Sequence, residues 1–208
     1  MENKKYIDKL DNNLWETKGI RFTAHSRLMT KGRLSNITNG ILSSYLIIFG
    51  LLSVYNLVDE NTIDSNIVAF GITSISILVL LFNQIEIAHD YRVRGLSFHT
   101  CALEISVLLR ELKVFKESIN GSPNKSELEP AFCERVNREY AQILAKYENH
   151  KTLDYNKFKL QDLKYFKVCS LQAIKYWLVY YLDIYWLYLS LIISPIIIVF
   201  FFFMKVSE

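Results

Sequence analysis

The chain has 208 residues, and 24 Lys or Arg against 21 Asp or Glu give a formal net charge of only +3. That balance excludes bulk nucleic-acid binding by charge alone. The 51% apolar content excludes a disordered chain, and three Cys and seven Gly exclude a disulfide-rich or collagen-like scaffold. Mean hydropathy is +0.15 although 22% of residues are charged, so charged and apolar residues are segregated along the sequence.

The first predicted element is a basic amphipathic helix over residues 11–33, within a cytoplasmic segment 1–34. Its apolar members are Leu14, Trp15, Phe22 and Leu28. Its basic members are Lys18, Arg21, Arg27, Lys31 and Arg33. Helices of this kind lie on or near membrane surfaces and bind anionic headgroups. The same cations suit a phosphate-bearing ligand, and simple anchoring of the topology is the alternative.

Two long uncharged runs follow, at residues 35–58 and 65–85. Each has the roughly 20 apolar residues that a helix needs to cross the hydrocarbon layer. An acidic turn at residues 59–64 separates them. The pattern therefore predicts a transmembrane hairpin over residues 35–85, with buried helices of a large soluble α-protein as the alternative.

The basic residues predict the orientation of this hairpin. Eight Lys or Arg precede residue 35, whereas the turn at residues 59–64 has none and carries three acids. By the positive-inside rule the N-terminus and residues 86–183 lie in the cytoplasm.

Residues 86–183 are predicted to form a cytoplasmic helical bundle. Two apolar stripes repeat at helical spacing. They are Phe132, Val136, Tyr140, Ile143 and Tyr147, and Leu108, Leu112, Phe115 and Ile119. The second span is expected to continue straight through Glu86 to about Ile119, before a turn at residues 120–124. Pro130 is expected in the first turn of its helix, and a further helix over residues 160–174 leads to the third span.

A third uncharged run at residues 184–204 predicts a membrane helix within a C-terminal segment 184–208. Pro195 lies in its middle, and a proline is tolerated there only if the freed carbonyl finds another donor. We expect a full crossing, because 21 residues are long enough even with tilt. Re-entry to the inner surface is the alternative. The fold class predicted for the whole chain is an all-α membrane protein.

No pattern of catalysis is present, and the sequence predicts neither an enzyme nor a cofactor nor a metal. Cys101, Cys133 and Cys169 lack the spacing of zinc or redox sites and are expected to be reduced and buried. Glu86, His89 and Asp90 are best explained as a charged exit from the membrane, with a metal site as the weaker alternative.

Both hairpin helices carry a stripe of small and polar residues at helical spacing, and we name these the polar stripes. We predict that the stripes line a pore in a homo-oligomer, because lipid offers no partner for such groups. The predicted pore-lining residues are Asn39, Ser43, Ser53, Thr73, Ser76 and Asn83. Plain packing of helices through small residues is the alternative.

The run WETKGIRFTAHSRL at residues 15–28, followed by the two-span hairpin, resembles the SLATT family. The resemblance covers roughly residues 10–175, and the third span looks like an elaboration. It implies a small bacterial membrane effector that forms an oligomeric pore in the inner membrane as abortive-infection defence against phage. The implied trigger is a nucleotide or oligonucleotide made by a partner nucleotidyltransferase, as in Hailong-type systems, where a DNA-like oligomer keeps the effector shut.

The resemblance also implies roles for five basic residues near the spans. The predicted ligand-binding residues are Lys18, Arg21, Arg27, Arg92 and Arg94. A basic ring at the cytoplasmic mouth of an oligomer favours anion conduction. Two other functions remain open, a membrane-anchored scaffold for a cytoplasmic partner and a ligand-independent, holin-like toxin. No duplex nucleic acid is expected as a partner.

Overall fold

The computed structural model describes residues 2–54, 65–119 and 125–206, and in these ranges it contains helices and no strand. The helices are α1 Glu2–Val54, α2 Ser65–Ala88, α3 Tyr91–Ser118, α4 Lys125–Lys146, α5 Thr152–Lys159 and α6 Ser170–Val206. Three helical stretches are long and apolar enough to cross a membrane, namely Tyr6–Leu52, Ala69–Ser118 and Ser170–Ile197. The predicted all-α membrane fold is confirmed. The predicted turns at 59–64 and 120–124 lie outside the described residues.

The chain divides into two compact units. Unit 1 comprises Met1–Met29 and Arg92–Tyr180, and unit 2 comprises Thr30–Tyr91 and Tyr181–Glu208. Helices α1 and α6 each contribute residues to both units.

Unit 1 is built around an apolar core contributed by α1, α3 and α4. Its buried members recur every three or four residues, as helical packing requires. They are Ile7, Leu10, Leu14, Cys101, Ile105, Leu108, Leu109, Leu112, Cys133, Val136 and Ile143. Phe115 and Phe132 stack beside this core with ring centroids 3.8 Å apart. The two stripes predicted in the cytoplasmic region are therefore confirmed as core-facing.

The apolar side of the N-terminal part of α1 packs against protein within unit 1. Leu14 and Leu28 are buried, and Trp15 lies against an aromatic cluster from the α5–α6 region. The side chains of Leu14 and Leu28 are thus covered by protein, and the position of residues 11–33 on or near the membrane surface stays a prediction. An amphipathic pattern does not by itself distinguish burial against lipid from burial against protein.

The helix from the second span does not run straight to Ile119. It stops at Ala88, and α3 begins at Tyr91 after two residues outside any helix. Asp90 has φ of 47°, a left-handed conformation that Asp tolerates better than most residues. Backbone bonds from His89 and Asp90 to carbonyls three residues earlier close the end of α2. The apolar spacing hides this interruption, because it continues on both sides.

Two further helix boundaries differ from expectation. Pro130 lies in the second turn of α4, since the helix already begins at Lys125. The predicted helix over residues 160–174 is present only from Ser170, and residues 160–169 form turns, with Lys167 at φ of 51°. Tyr165 and Phe166 of this connection pack against Trp15 without being helical.

Unit 2 contains a part of each of the three candidate spans. Helix α6 continues through Pro195, whose missing N–H leaves the carbonyl of Leu191 without its usual donor. The Ser194 hydroxyl lies 3.4 Å from that carbonyl, and the Tyr45 hydroxyl lies 3.4 Å from the carbonyl of Ile192. The carbonyl that Pro195 leaves free was expected to need another donor, and the Ser194 hydroxyl is that donor. Full crossing of this segment stays a prediction.

Candidate functional site

A buried polar network in unit 1 holds two of the predicted ligand-binding arginines. Arg27 donates two hydrogen bonds to the carboxylate of Asp154, at 2.7 and 3.0 Å, and both side chains are almost fully buried. Asp154 lies in the first turn of α5, where its Oδ2 also accepts the Lys151 N–H at 3.1 Å. A carboxylate is favourable at this end of a helix because the helix dipole is positive there.

Arg21 enters the same region and is only 1% exposed. Its guanidinium donates to the Glu148 carbonyl oxygen and lies 3.5 Å from Asn149 Oδ1. The Phe98 ring packs against this cation, with its centroid 5.4 Å away. Arg21 thus fastens α1 to the non-helical segment between α4 and α5.

Arg94 binds that segment from α3. Its guanidinium makes a bidentate pair with the Glu148 carboxylate, with bonds of 2.9 and 2.6 Å. This charge-assisted pair lowers the pKa of Glu148 below its usual range. Glu148 therefore bridges two predicted ligand residues, one through its carbonyl and the other through its carboxylate.

Two buried nitrogens of this network have no hydrogen-bond partner in the described part of the chain. They are Arg21 Nε and His150 Nδ1. Burial, and secondarily the charge of Arg21, lowers the pKa of His150, so its imidazole is neutral at neutral pH. A buried donor without an acceptor, such as Arg21 Nε, costs free energy.

The structure brings together three of the five predicted ligand residues. Arg21, Arg27 and Arg94 converge on residues 148–154. Lys18 is half-buried and Arg92 is exposed, and neither takes part in these bonds. The partners Asp154, Glu148 and Asn149 were not anticipated from the sequence, because they lie 54 to 128 residues away along the chain.

Other residues of the run at 15–28 also fasten unit 1 together. Thr17 Oγ1 and the Tyr140 hydroxyl are 2.7 Å apart, and His25 Nδ1 lies 2.9 Å from the Gly95 carbonyl oxygen. Gly19 faces the Phe158 ring so closely that a Cβ there would overlap it. The run on which the family resemblance rests is therefore largely an internal binding face of α1.

The polar stripes of unit 2 lie beside the faces that pack within the chain. Ser43 and Thr73 are exposed, while Asn39, Ser76 and Asn83 are half-buried, and the side chain of Ser53 lies outside the described set. Thr73 and Ser76 donate to carbonyls four residues earlier in their own helix, both at 2.8 Å. Their hydroxyls thus keep an accepting lone pair for a neighbour.

Three side-chain oxygens in the spans are buried yet accept no hydrogen bond from the described residues. They are Thr38 Oγ1, Asn39 Oδ1 and Asn83 Oδ1. In lipid no water is available to satisfy such groups, so they require donors from protein or from a water-filled space. Whether the stripes line a pore stays a prediction.

Glu86 has a different environment from the expected charged exit. Its side chain is 6% exposed, and its carboxylate accepts a 2.8 Å hydrogen bond from Tyr188 of α6. Nearby in unit 2, Lys31 and Asp183 form an ion pair of 2.8 Å. The sequence predicted only a charged exit at Glu86, and the pairing between α1, α2 and α6 had no local signal.

The thiols show no functional arrangement among the described residues. All three cysteines are free, with Cys101 and Cys133 buried and Cys169 exposed. The expectation that all three are buried is wrong for Cys169, which lies in the turn region before α6. Within the described ranges no group of three or more His, Cys, Asp or Glu is placed to hold a metal ion.

One comparison with known proteins decides the family. Residues 3–201 match the SMODS and SLOG-associating 2TM effector domain family 5. The chain belongs to this SLATT family. The match extends into α6, so the third candidate span is part of the SLATT region and not an addition outside it. As a SLATT protein, the chain is a membrane effector of defence systems. Nothing among curated proteins or solved structures matches it.

Proposed function

We propose that the protein is a ligand-controlled, homo-oligomeric pore of the bacterial inner membrane that acts as an anti-phage effector by permeabilising that membrane. It acts without catalysis, and its N-terminus and unit 1 face the cytoplasm. The controlling ligand is a nucleotide or oligonucleotide supplied by a partner nucleotidyltransferase. Membership of the SLATT family and the three candidate spans support this proposal at the coarse level.

The observation that carries the pore is the unsatisfied polarity of the spans. Asn39 Oδ1 and Asn83 Oδ1 are buried without a donor in the described chain, and Ser43 and Thr73 are exposed on the span surface. A single copy surrounded by lipid leaves these groups unsolvated. Sister copies around an aqueous path satisfy them, because a pore supplies both protein neighbours and water.

The observation that favours an anionic ligand is the arginine network of unit 1. Arg21 Nε is buried and without an acceptor, and Arg94 is held by a carboxylate that is half exposed. A phosphate oxygen is a strong acceptor for guanidinium groups. A phosphate-bearing ligand competes with Glu148 for these two arginines and releases the segment that Glu148 belongs to.

Ion flux from proteoliposomes tests the pore. Thr73→Val replaces a stripe hydroxyl by a methyl of similar size, and we expect a several-fold lower flux because an apolar lining favours dewetting. Ser118→Ala is the control, since Ser118 is also exposed and its hydroxyl also donates to a carbonyl of its own helix, at 2.9 Å, but it lies in unit 1. An equal effect of the two substitutions contradicts a lining role for Thr73.

Expression with and without the adjacent genes distinguishes the remaining functions. A ligand-controlled pore changes its toxicity when the nucleotidyltransferase gene is present. A holin-like toxin kills irrespective of that gene, and a scaffold is neither toxic nor conducting. If the liposomes show no ion flux under any nucleotide condition, the proposed pore function is contradicted.

A further inference from the structure

Helix α3 carries a line of exposed residues that no described part of the chain covers. Successive members of the line are separated alternately by three and by four residues, over more than four turns of the helix. Its members are Val93, Leu96, Thr100, Leu103, Val107, Arg110 and Val114, all exposed, and we call them the α3 seam. The five apolar members are between 46% and 66% exposed.

The spacing of the α3 seam is that of a heptad repeat. An alternation of three and four residues places side chains on one narrow face of a helix, where they pack into a second helix with the same spacing. The opposite face of α3 already supplies Cys101, Ile105, Leu108 and Leu112 to the core of unit 1. Helix α3 thus has two apolar faces, and only one of them is used within the chain.

The residues that flank the α3 seam carry opposite charges on its two sides. One flank of α3 contains Glu104 and Glu111, which also pair with Lys146 and Arg135 of α4, and the other contains Arg92 and Lys113 and no acidic residue. Parallel helices bring unlike flanks together, whereas antiparallel helices bring like flanks together. The charges therefore favour a parallel partner and disfavour an antiparallel one.

We infer that the α3 seam is a self-association surface, on which α3 of a second copy of this chain packs in parallel. The inference rests on the oligomeric pore proposed above, because copies that insert with the same topology present their α3 helices in the same direction. Arg110 is the one charged member of the α3 seam, and a single polar position at such an interface fixes the register. Its length lets the cation reach the acidic flank of the neighbour.

Cross-linking in membranes tests this surface. Val107→Cys is made in a Cys169→Ser background, in which the remaining native cysteines are buried. Treatment with a short bis-maleimide is expected to give covalent dimers in high yield. Asn137→Cys, at an exposed site of α4 away from the α3 seam, is the control and is expected to stay monomeric. Equal cross-linking at both sites, or none at residue 107, overturns the inference.

A second variant keeps the test independent of cysteine reactivity. Val107→Glu adds a like charge to every copy at the centre of the α3 seam, so the particle mass in mild detergent is expected to fall toward the monomer. Asn137→Glu is the matched control and leaves the mass unchanged. If the Val107→Glu protein keeps the wild-type mass and the wild-type flux, the inference about the α3 seam is contradicted and the proposed pore is not. If residue 107 cross-links but the wild-type protein gives no ion flux, the inference about the α3 seam is supported and the proposed pore is contradicted.

Discussion

Arg27 forms a buried ion pair with Asp154. A basic residue that the membrane topology alone would explain therefore also has a structural role. Both side chains are buried, and the carboxylate accepts three hydrogen bonds, two from the guanidinium and one from the Lys151 N–H. The contribution of such a pair to stability depends strongly on its surroundings, because the desolvation cost of two charges offsets much of their attraction. Losing one partner leaves the other charge buried without this counter-charge, which is the costly state.

Asp154→Asn is therefore expected to destabilise the protein by about 3–5 kcal/mol, because Arg27 keeps its charge in a buried site. Thermal unfolding of the full chain in detergent measures this loss. The double variant Arg27→Met with Asp154→Leu is expected to recover most of the stability. Glu134→Gln is the control, since its pair with Arg138 is exposed and contributes about 0–1 kcal/mol. A double variant no more stable than Asp154→Asn contradicts this account.

The site was partly predictable at this scale. The family resemblance implied roles for five basic residues, and the structure joins only Arg21, Arg27 and Arg94 of these to residues 148–154. Their partners were not predictable, because helical periodicity reports which side of a helix is apolar and not which distant carboxylate meets it. Arg21 and Arg27 also contact protein where a ligand was expected.

At the scale of elements, the close approach of α1 and α5 depends on one glycine. The edge of the Phe158 ring occupies the position that a side chain at residue 19 needs. Phe158 is 2% exposed and is held by Trp15 and Phe166, with ring centroids 5.2 and 5.6 Å away. The ring is therefore enclosed by other side chains.

Gly19→Ala is expected to destabilise the protein, although alanine is the better helix former. Overpacking a closed contact costs about 1–3 kcal/mol, whereas the helix gains at most about 1 kcal/mol from losing a glycine. Gly40→Ala is the control, since a Cβ at residue 40 meets nothing within 4 Å. Thermal midpoints of the two variants are thus expected to move in opposite directions. A stabilised Gly19→Ala protein contradicts the close contact with Phe158.

Which elements were predictable follows from the same physics. The prediction of apolar stripes on α3 and α4 was confirmed, because the apolar residues of a buried helix face recur in the sequence every three to four residues. The break at His89–Asp90 and the turns before Ser170 were missed, because apolar residues continue across both. These breaks depend on single backbone conformations, at Asp90 and Lys167, that leave no mark on hydrophobic periodicity.

At the scale of the whole molecule, the spans are apolar on surfaces that the chain does not cover. Ile47, Phe70, Leu78 and Trp186 are each more than half exposed. Exposed apolar surface of this extent is unfavourable in water and favourable in lipid. The segregation of charge seen in the sequence therefore has its counterpart in two units, one that contains most of the charged residues around a closed core and the other with an apolar surface.

The native cysteines allow the proposed orientation to be tested without engineered reporters. Cys169 is exposed in unit 1, whereas Cys101 and Cys133 are buried, and burial raises the pKa of the Cys133 thiol. A membrane-impermeant maleimide needs an accessible thiolate, so Cys169 is the expected site of labelling. With unit 1 in the cytoplasm, intact spheroplasts are expected to stay unlabelled and permeabilised ones to react.

Cys169→Ser controls for the identity of the thiol and is expected to abolish the signal in permeabilised cells. Labelling of the unsubstituted protein in intact spheroplasts places unit 1 outside, which reverses the topology derived from the basic residues. That outcome also separates the arginine network of unit 1 from any cytoplasmic nucleotide, because a ligand made inside the cell then has no access to Arg21 and Arg94. The orientation of the chain thus decides whether the proposed control by a nucleotide is physically possible.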